Sequence, residues 1–217
     1  MYFKSDFSNL YFFFIRFKVD AGLCRNYGRY EIHTFTEYHR NSQVFINYGP
    51  HDNRTLLIEY GFVLPQNIHT IVSVDQAIVL SVISSDDYVL RTSKIAFIEK
   101  HGLNRDFSFS KAFGPSWSLL VSFRVLAMKT NDLRSCPRAL GGNIISEENE
   151  VQVKEWVKML LTKTLGSYRT TVEEDQRLVK QKSCSENKKL VTQLLIQEKL
   201  ILQETLLRFC ERNDSLF

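Results

Sequence analysis

Two hydrophobic rhythms divide the chain near residue 75. Before it, apolar and aromatic residues come in short alternating or clustered runs, the habit of strands. In "RYEIHTF", Tyr30, Ile32 and Thr34 fall on one face and Glu31 and His33 on the other. "QVFINYG" (43–49) is a second, mostly apolar run, and the polar "TEYHRNS" (36–42) reads as the link between them. "GPHDN" (49–53) is dense in turn formers and can start a helix through "RTLLIEYGF", with Asp52 or Asn53 as its cap and Gly61 as its stop.

After residue 75 the spacing turns helical. "SVDQAIVLSVI" and "DDYVLRTSKIAFIEKHG" are separated by a loop at Ser84 and Ser85, and the second closes on Lys100, His101 and Gly102, a good helix end. "GPSWSLLVSFRVLAMK" places Pro115 near a first helical turn, where its missing N–H costs nothing. "ISEENEVQVKEWVKMLLTKTLGSY" carries Val153, Trp156, Val157, Leu160 and Leu161 at helical spacing, with Glu early and Lys late. In "TTVEEDQRLVKQK", Thr170 stands three residues before Glu173, the spacing of a capping box. The segment 185–213 is the longest helical run. Leu190, Leu194 and Ile201 begin a seam, but it meets Glu198, Thr205 or Arg208, so no heptad is sustained and the helix is expected to pack on its own domain.

Composition narrows the class. The chain has 217 residues, 44% of them hydrophobic, enough for one large domain or two small ones. A net charge of +4, with both signs interleaved, does not describe a dedicated nucleic-acid binder. Cys24, Cys136, Cys184 and Cys210 form no C-x-x-C pair and read as reduced thiols of the cytosol or nucleus. The five histidines, 33, 39, 51, 69 and 101, show no metal-binding spacing, so no metal is expected. The apolar run 10–15 is stopped by Arg16, well short of the roughly 20 residues of a membrane span. The Phe-rich start is atypical, and the sequons at Asn53 and Asn213 carry little weight without a secretory signal.

The chemistry-bearing stretch is "VFINYGPHDNRTLLIEYGF" (44–62). Tyr48 sits at the end of a strand-like run, before Gly-Pro and a helix start, and element edges are where sites are built. Tyr60, Gly61 and Phe62 return at the far end of that helix. Aromatic faces can hold a cation such as a sulfonium. The residues alone leave ordinary core packing as the alternative.

The same stretch resembles the C-terminal end of a SET domain, in the class of lysine methyltransferases typified by Rubisco large-subunit methyltransferase. "YEIHT" resembles the strand upstream of it. "KIAFIEKHGL…GPSWSLL" and "LGSYRTTVEEDQRLVK" resemble the helical substrate-binding domain that follows SET in that class. The likeness covers roughly residues 19–210, with its motifs in family order. It implies an α+β fold: an atypical start at 1–18, a small β-rich remnant of the SET domain at 19–74, and an all-α substrate-binding domain at 75–213. It implies S-adenosylmethionine as cofactor and a protein substrate, histone or non-histone, that carries the target lysine. Tyr48 matches the catalytic tyrosine, Tyr30 and Tyr60 the lining of the lysine channel, and Gly61 with Phe62 the segment against the cofactor adenine.

The chain also departs from the family. The Asn-His pair that binds the cofactor should stand shortly before "KVDAGLCRNYGRYEI", where "SNLYFFFIRF" is found, and no Asn-His occurs anywhere. The upstream SET sheets and glycine loop would precede Met1. The expectation is therefore a truncated SET-family methyltransferase chain, inactive alone, monomeric, of the cytoplasm or nucleus, without nucleic acid or membrane. Two other readings stand beside it. The helical domain can be a non-catalytic protein-binding module, or residues 186–212 can drive self-association in a scaffold.

Overall fold

The computed structural model describes residues 19–24, 28–34, 37, 39–42, 49–83, 88–129 and 135–211. It forms two compact units, residues 1–51 and 52–217. In the first, β1 (Val19–Cys24) and β2 (Arg29–Thr34) pair antiparallel, with Val19 opposite Thr34 and Leu23 opposite Tyr30. Gly28 enters β2 at φ 59°, a left-handed conformation that a residue without Cβ adopts at little cost. The run 43–49, expected as a strand, lies outside the described residues up to position 48.

The second unit opens with α1 (Asn53–Thr55), which widens into one π-helical turn at Leu56–Tyr60. Asp52 is the cap: its carboxylate accepts from the Thr55 amide at 2.7 Å. Gly61, at φ 75°, ends the turn and returns its N–H to the carbonyls of Leu56 and Leu57. Next come β3 (Ile71–Ser73), α2 (Gln76–Leu80), capped by Asp75, and α3 (Tyr88–Lys100). β4 (Ser108–Ser110) and β5 (Gly114–Pro115) complete a three-stranded antiparallel sheet of order β3-β4-β5. This small sheet lies in a region whose sequence period is helical. Strands of two or three residues are too short to carry a period of their own.

Pro115 corrects the sequence expectation. It does not start a helix but stands in β5 opposite Phe109, on the edge of the sheet, where a missing N–H breaks no ladder. Ser116 is the cap, and α4 (Trp117–Ala127) comes directly after it. Nine of the eleven residues of α4 are buried, as expected for a helix that is apolar nearly all round. Its C-terminal end is closed by Lys94 of α3, whose buried ammonium donates to the carbonyls of Leu126, at 2.8 Å, and Met128.

Four more helices follow among the described residues: α5 (Cys136–Leu140), α6 (Glu147–Gly166), α7 (Val172–Lys180) and α8 (Glu186–Glu211). The stripe read from the sequence is the core face of α6: Val153, Trp156, Val157, Leu160 and Leu161 are all buried. Trp156 meets Phe123 of α4 edge to face at 5.7 Å. α6 and α7 both pack on α8.

The capping box also stands one residue from its expected place. The pair is Thr171 with Glu174, not Thr170 with Glu173. Both threonines have a glutamate three residues on, so spacing alone could not choose. Thr170 instead turns to the α7–α8 contact, where its hydroxyl donates to Asp175 and accepts from Lys199. Of the polar residues that interrupt the heptad of α8, Glu198 and Thr205 are buried and bonded within the unit, and the half-buried Arg208 donates to the Lys111 carbonyl and to Glu204, so this helix is packed on its own domain.

Candidate functional site

Of the five residues singled out in the sequence, Tyr60 and Phe62 are described with their side chains and Gly61 by its backbone. Tyr60 ends the π-helical turn with 42% of its surface exposed, whereas Phe62, two residues on, is buried. Their rings stand 6.4 Å apart and tilted by 42°. Between them, Gly61 has no atom within 4 Å of where a Cβ would be, so its left-handed backbone, and not crowding, calls for glycine there. Tyr30 is placed by its backbone in β2, opposite Leu23. Tyr48 lies outside the described residues.

Asp52 and Asn53 are not the interchangeable caps that the sequence suggests. Asp52 alone caps. Asn53 is completely buried and uses both ends of its amide. Its Oδ1 accepts from the Leu64 amide at 3.1 Å and from Asn67 Nδ2 at 3.1 Å. Its Nδ2 donates to the Leu64 carbonyl and to Gln197 Oε1, both at 2.8 Å. Gln197 Nε2 in turn donates to the Leu64 carbonyl at 3.0 Å. A buried amide with every direction occupied fixes its neighbours in one arrangement.

Arg54 continues the contact. Its guanidinium reaches Glu198 Oε1 at 2.7 Å, and the Tyr168 hydroxyl donates to Glu198 Oε2 at 2.9 Å. Glu198 is 2% exposed, so both oxygens of a buried carboxylate are taken by donors from other elements. Burial, and then the charge of Glu198, push the Tyr168 phenol well above its ordinary range. The hydrogen bond to Glu198 raises the Arg54 guanidinium further, holding it cationic. The adjacent Lys199 pairs with Asp175 at 2.6 Å, also buried, and lies 5.2 Å from the centre of the Tyr168 ring.

Elsewhere in the unit, an open cleft of about 370 Å³ is lined by Ser81, Val82, Lys158, Met159, Thr162 and Lys163. Among the described residues no cluster of His, Cys, Asp and Glu could hold a metal ion, and no helix is long and apolar enough to cross a membrane.

Residues 85–202, more than half of the chain, match the family of Rubisco LSMT substrate-binding domains, and the chain belongs to that family. SET domain-containing protein 4 of Homo sapiens is 35% identical over 133 residues, covering 61% of this chain and 30% of that protein. The Mus musculus protein of the same name is 37% identical over 121 residues, 56% of this chain and 27% of that protein. The actin-histidine N-methyltransferase of Callithrix jacchus is 27% identical over 192 residues, 81% of this chain and 31% of that protein. The chain thus spans about three tenths of the length of these curated relatives. Among solved structures, the fold resembles the SET domain of LSMT bound to lysine and AdoHcy, with a TM-score of 0.58, 21% identity, and 81% of this chain and 42% of that one covered. Rubisco LSMT bound to AdoMet gives a TM-score of 0.55 at the same identity, covering 78% of this chain and 41% of that one.

Proposed function

We propose that this protein serves protein-lysine N-methylation in the SET family. Residues 19–74 are the C-terminal part of the SET domain, and the helical residues 75–213 hold the protein substrate. The carrying observation is the family match over residues 85–202, downstream of the Tyr-Gly…Tyr-Gly-Phe segment in the same chain. Tyr48 is the residue that aligns the substrate amine, Tyr30 and Tyr60 line the lysine channel, and Gly61 and Phe62 meet the adenine of S-adenosylmethionine.

Of the two residues assigned to the adenine, Gly61 has no atom within 4 Å of where a Cβ would be and leaves room beside it, while Phe62 is buried with its ring 6.4 Å from that of Tyr60. When bound, S-adenosylmethionine supplies an electrophilic methyl group on a sulfonium. The chain's own residues provide alignment: the Tyr48 hydroxyl holds the neutral lysine amine in line with that group, and aromatic walls exclude water. With the cofactor bound, its methyl group would pass directly to the amine that Tyr48 aligns, leaving the sulfur neutral, and the extra proton on the amine would leave for solvent. No Asn-His pair occurs among these 217 residues, and the reading has this chain inactive alone. The reading has the protein act as a monomer in the cytoplasm or nucleus.

The test is transfer of isotopic methyl from S-adenosylmethionine to a protein extract, then identification of the modified residue. The protein expressed from its whole natural reading frame labels lysine, and the 217 residues alone do not. Label on histidine, the residue named for the relatives at 27% identity, would replace lysine as the target.

A second reading has a specific observation in its favour. The family matched is a substrate-binding one, so the helical unit can recognise a protein partner without catalysis. Specific partner binding with no transfer by the natural protein supports it.

A further inference from the structure

The segment from Asn53 to Leu64 is a closed loop. Two hydrogen bonds between Asn53 and Leu64, eleven residues apart, seal its base. Tyr60, Gly61 and Phe62 lie within it, near its C-terminal end. Apart from the bond from Asn67 to Asn53, the base is fastened to one turn of α8, more than 130 residues away: Gln197 bonds both Asn53 and Leu64, and Glu198 holds Arg54. Glu198 is in turn fixed from behind by Tyr168, which ends the α6 region.

General stability explains this arrangement poorly. A buried carboxylate is costly to desolvate, and apolar residues of similar size would hold a bundle together as well. Buried polar contacts of this kind are better suited to fixing one register among several. Here the element whose register is fixed is short, with a single α turn and a single π turn, and could not hold itself in place.

We propose that Glu198 is a positioning residue: through Arg54, and beside the Asn53–Leu64–Gln197 contact, it sets the segment carrying Tyr60, Gly61 and Phe62 against α8. The helical bundle thereby dictates where those aromatic residues stand. That the segment belongs to a methyl-transfer channel rests on the function proposed above. The positioning itself does not, and it can be tested without any activity.

The experiment is amide hydrogen exchange on the 217-residue chain. The amides of Gly61 and Phe62, which bond to the carbonyls of Leu57 and Leu56, report on the segment. Val157, Leu160 and Leu161 of α6 report on the bundle. In Glu198→Ala the segment amides should exchange on the order of tenfold faster, with α6 unchanged. Glu198→Gln, which keeps an acceptor for Arg54 and a partner for Tyr168, should restore most of the protection. Where Glu198→Ala does not fold, Arg54→Ala makes the same test from the half-exposed side of the pair. Unchanged segment amides would overturn the proposal. So would equal acceleration in α6, because Glu198 would then serve only the stability of the whole bundle. Segment-specific loosening in a protein whose natural form transfers no methyl group would leave the joint standing and remove its catalytic purpose.

Discussion

Arg124 and Glu150 meet as a two-pronged ion pair inside the helical unit, with Nε on Oε1 at 2.6 Å and Nη2 on Oε2 at 3.0 Å. Arg124 is 1% exposed and also donates to the Gly142 carbonyl at 2.6 Å, so it fastens the start of α6 and the loop before it to the central helix α4. Removing one partner leaves the other charge buried. Glu150→Ala should therefore destabilise the chain by roughly 3–5 kcal/mol, and Glu150→Gln by less, because the amide still accepts one hydrogen bond. Urea unfolding midpoints check the order.

Tyr168 gives a pH-dependent term of known sign. Its phenol is raised by burial and by Glu198. Below the unfolded value of about 10, the phenol is neutral in both states and its contribution is fully present. Above it the unfolded chain releases the proton while the folded chain keeps it, so stability falls as pH rises. The wild type should lose stability between about pH 9 and 11 more steeply than Tyr168→Phe, which has no proton to release. Urea midpoints for the two proteins across that range, taken as a difference, cancel the lysines they share.

The capping box of α7 is assigned to Thr171 and Glu174, whose side chains and amides bond reciprocally at 3.2 and 2.8 Å. Thr171→Ala should cost about 1 kcal/mol. Glu174→Ala should cost a measurable fraction of that and be non-additive with Thr171→Ala. Glu173→Ala should be near neutral. Thermal unfolding of the four variants distinguishes the observed register from the one expected in the sequence.

Gly61 stands at φ 75° with nothing near its missing Cβ. Gly61→Ala should cost about 1–2 kcal/mol from backbone strain alone, without a steric clash. A larger loss measured by denaturant titration would indicate that the segment needs glycine for more than its dihedral angle.

Distance and length decide how much of this structure the sequence conveys. The core stripe of α6 was legible because twenty residues give a helical period several turns in which to repeat. A cap at Asp52 or Asn53 and the stop at Gly61 were legible because each is a local rule. The β3-β4-β5 sheet was not, since its strands are two or three residues long. Thr170 and Thr171 differ by one position and share the same spacing pattern. Asn53 looked like a cap because it stands next to Asp52, and its bond to Gln197 spans 144 residues, which no local pattern reports. In the candidate site, the aromatic residues Tyr48, Tyr60 and Phe62 are visible as a pattern, while the roles proposed for Tyr30, Tyr48, Tyr60, Gly61 and Phe62 all rest on family resemblance.

The central claim is that Tyr48 belongs to a methyl-transfer channel. The most direct measurement is the rate of isotopic methyl transfer from S-adenosylmethionine to protein lysine by the protein made from its natural reading frame, compared with its Tyr48→Phe variant. Loss of the aligning hydroxyl should lower the rate on the order of 10²-fold while cofactor binding is kept. Transfer at an undiminished rate in Tyr48→Phe, or none in the natural protein, would contradict the claim.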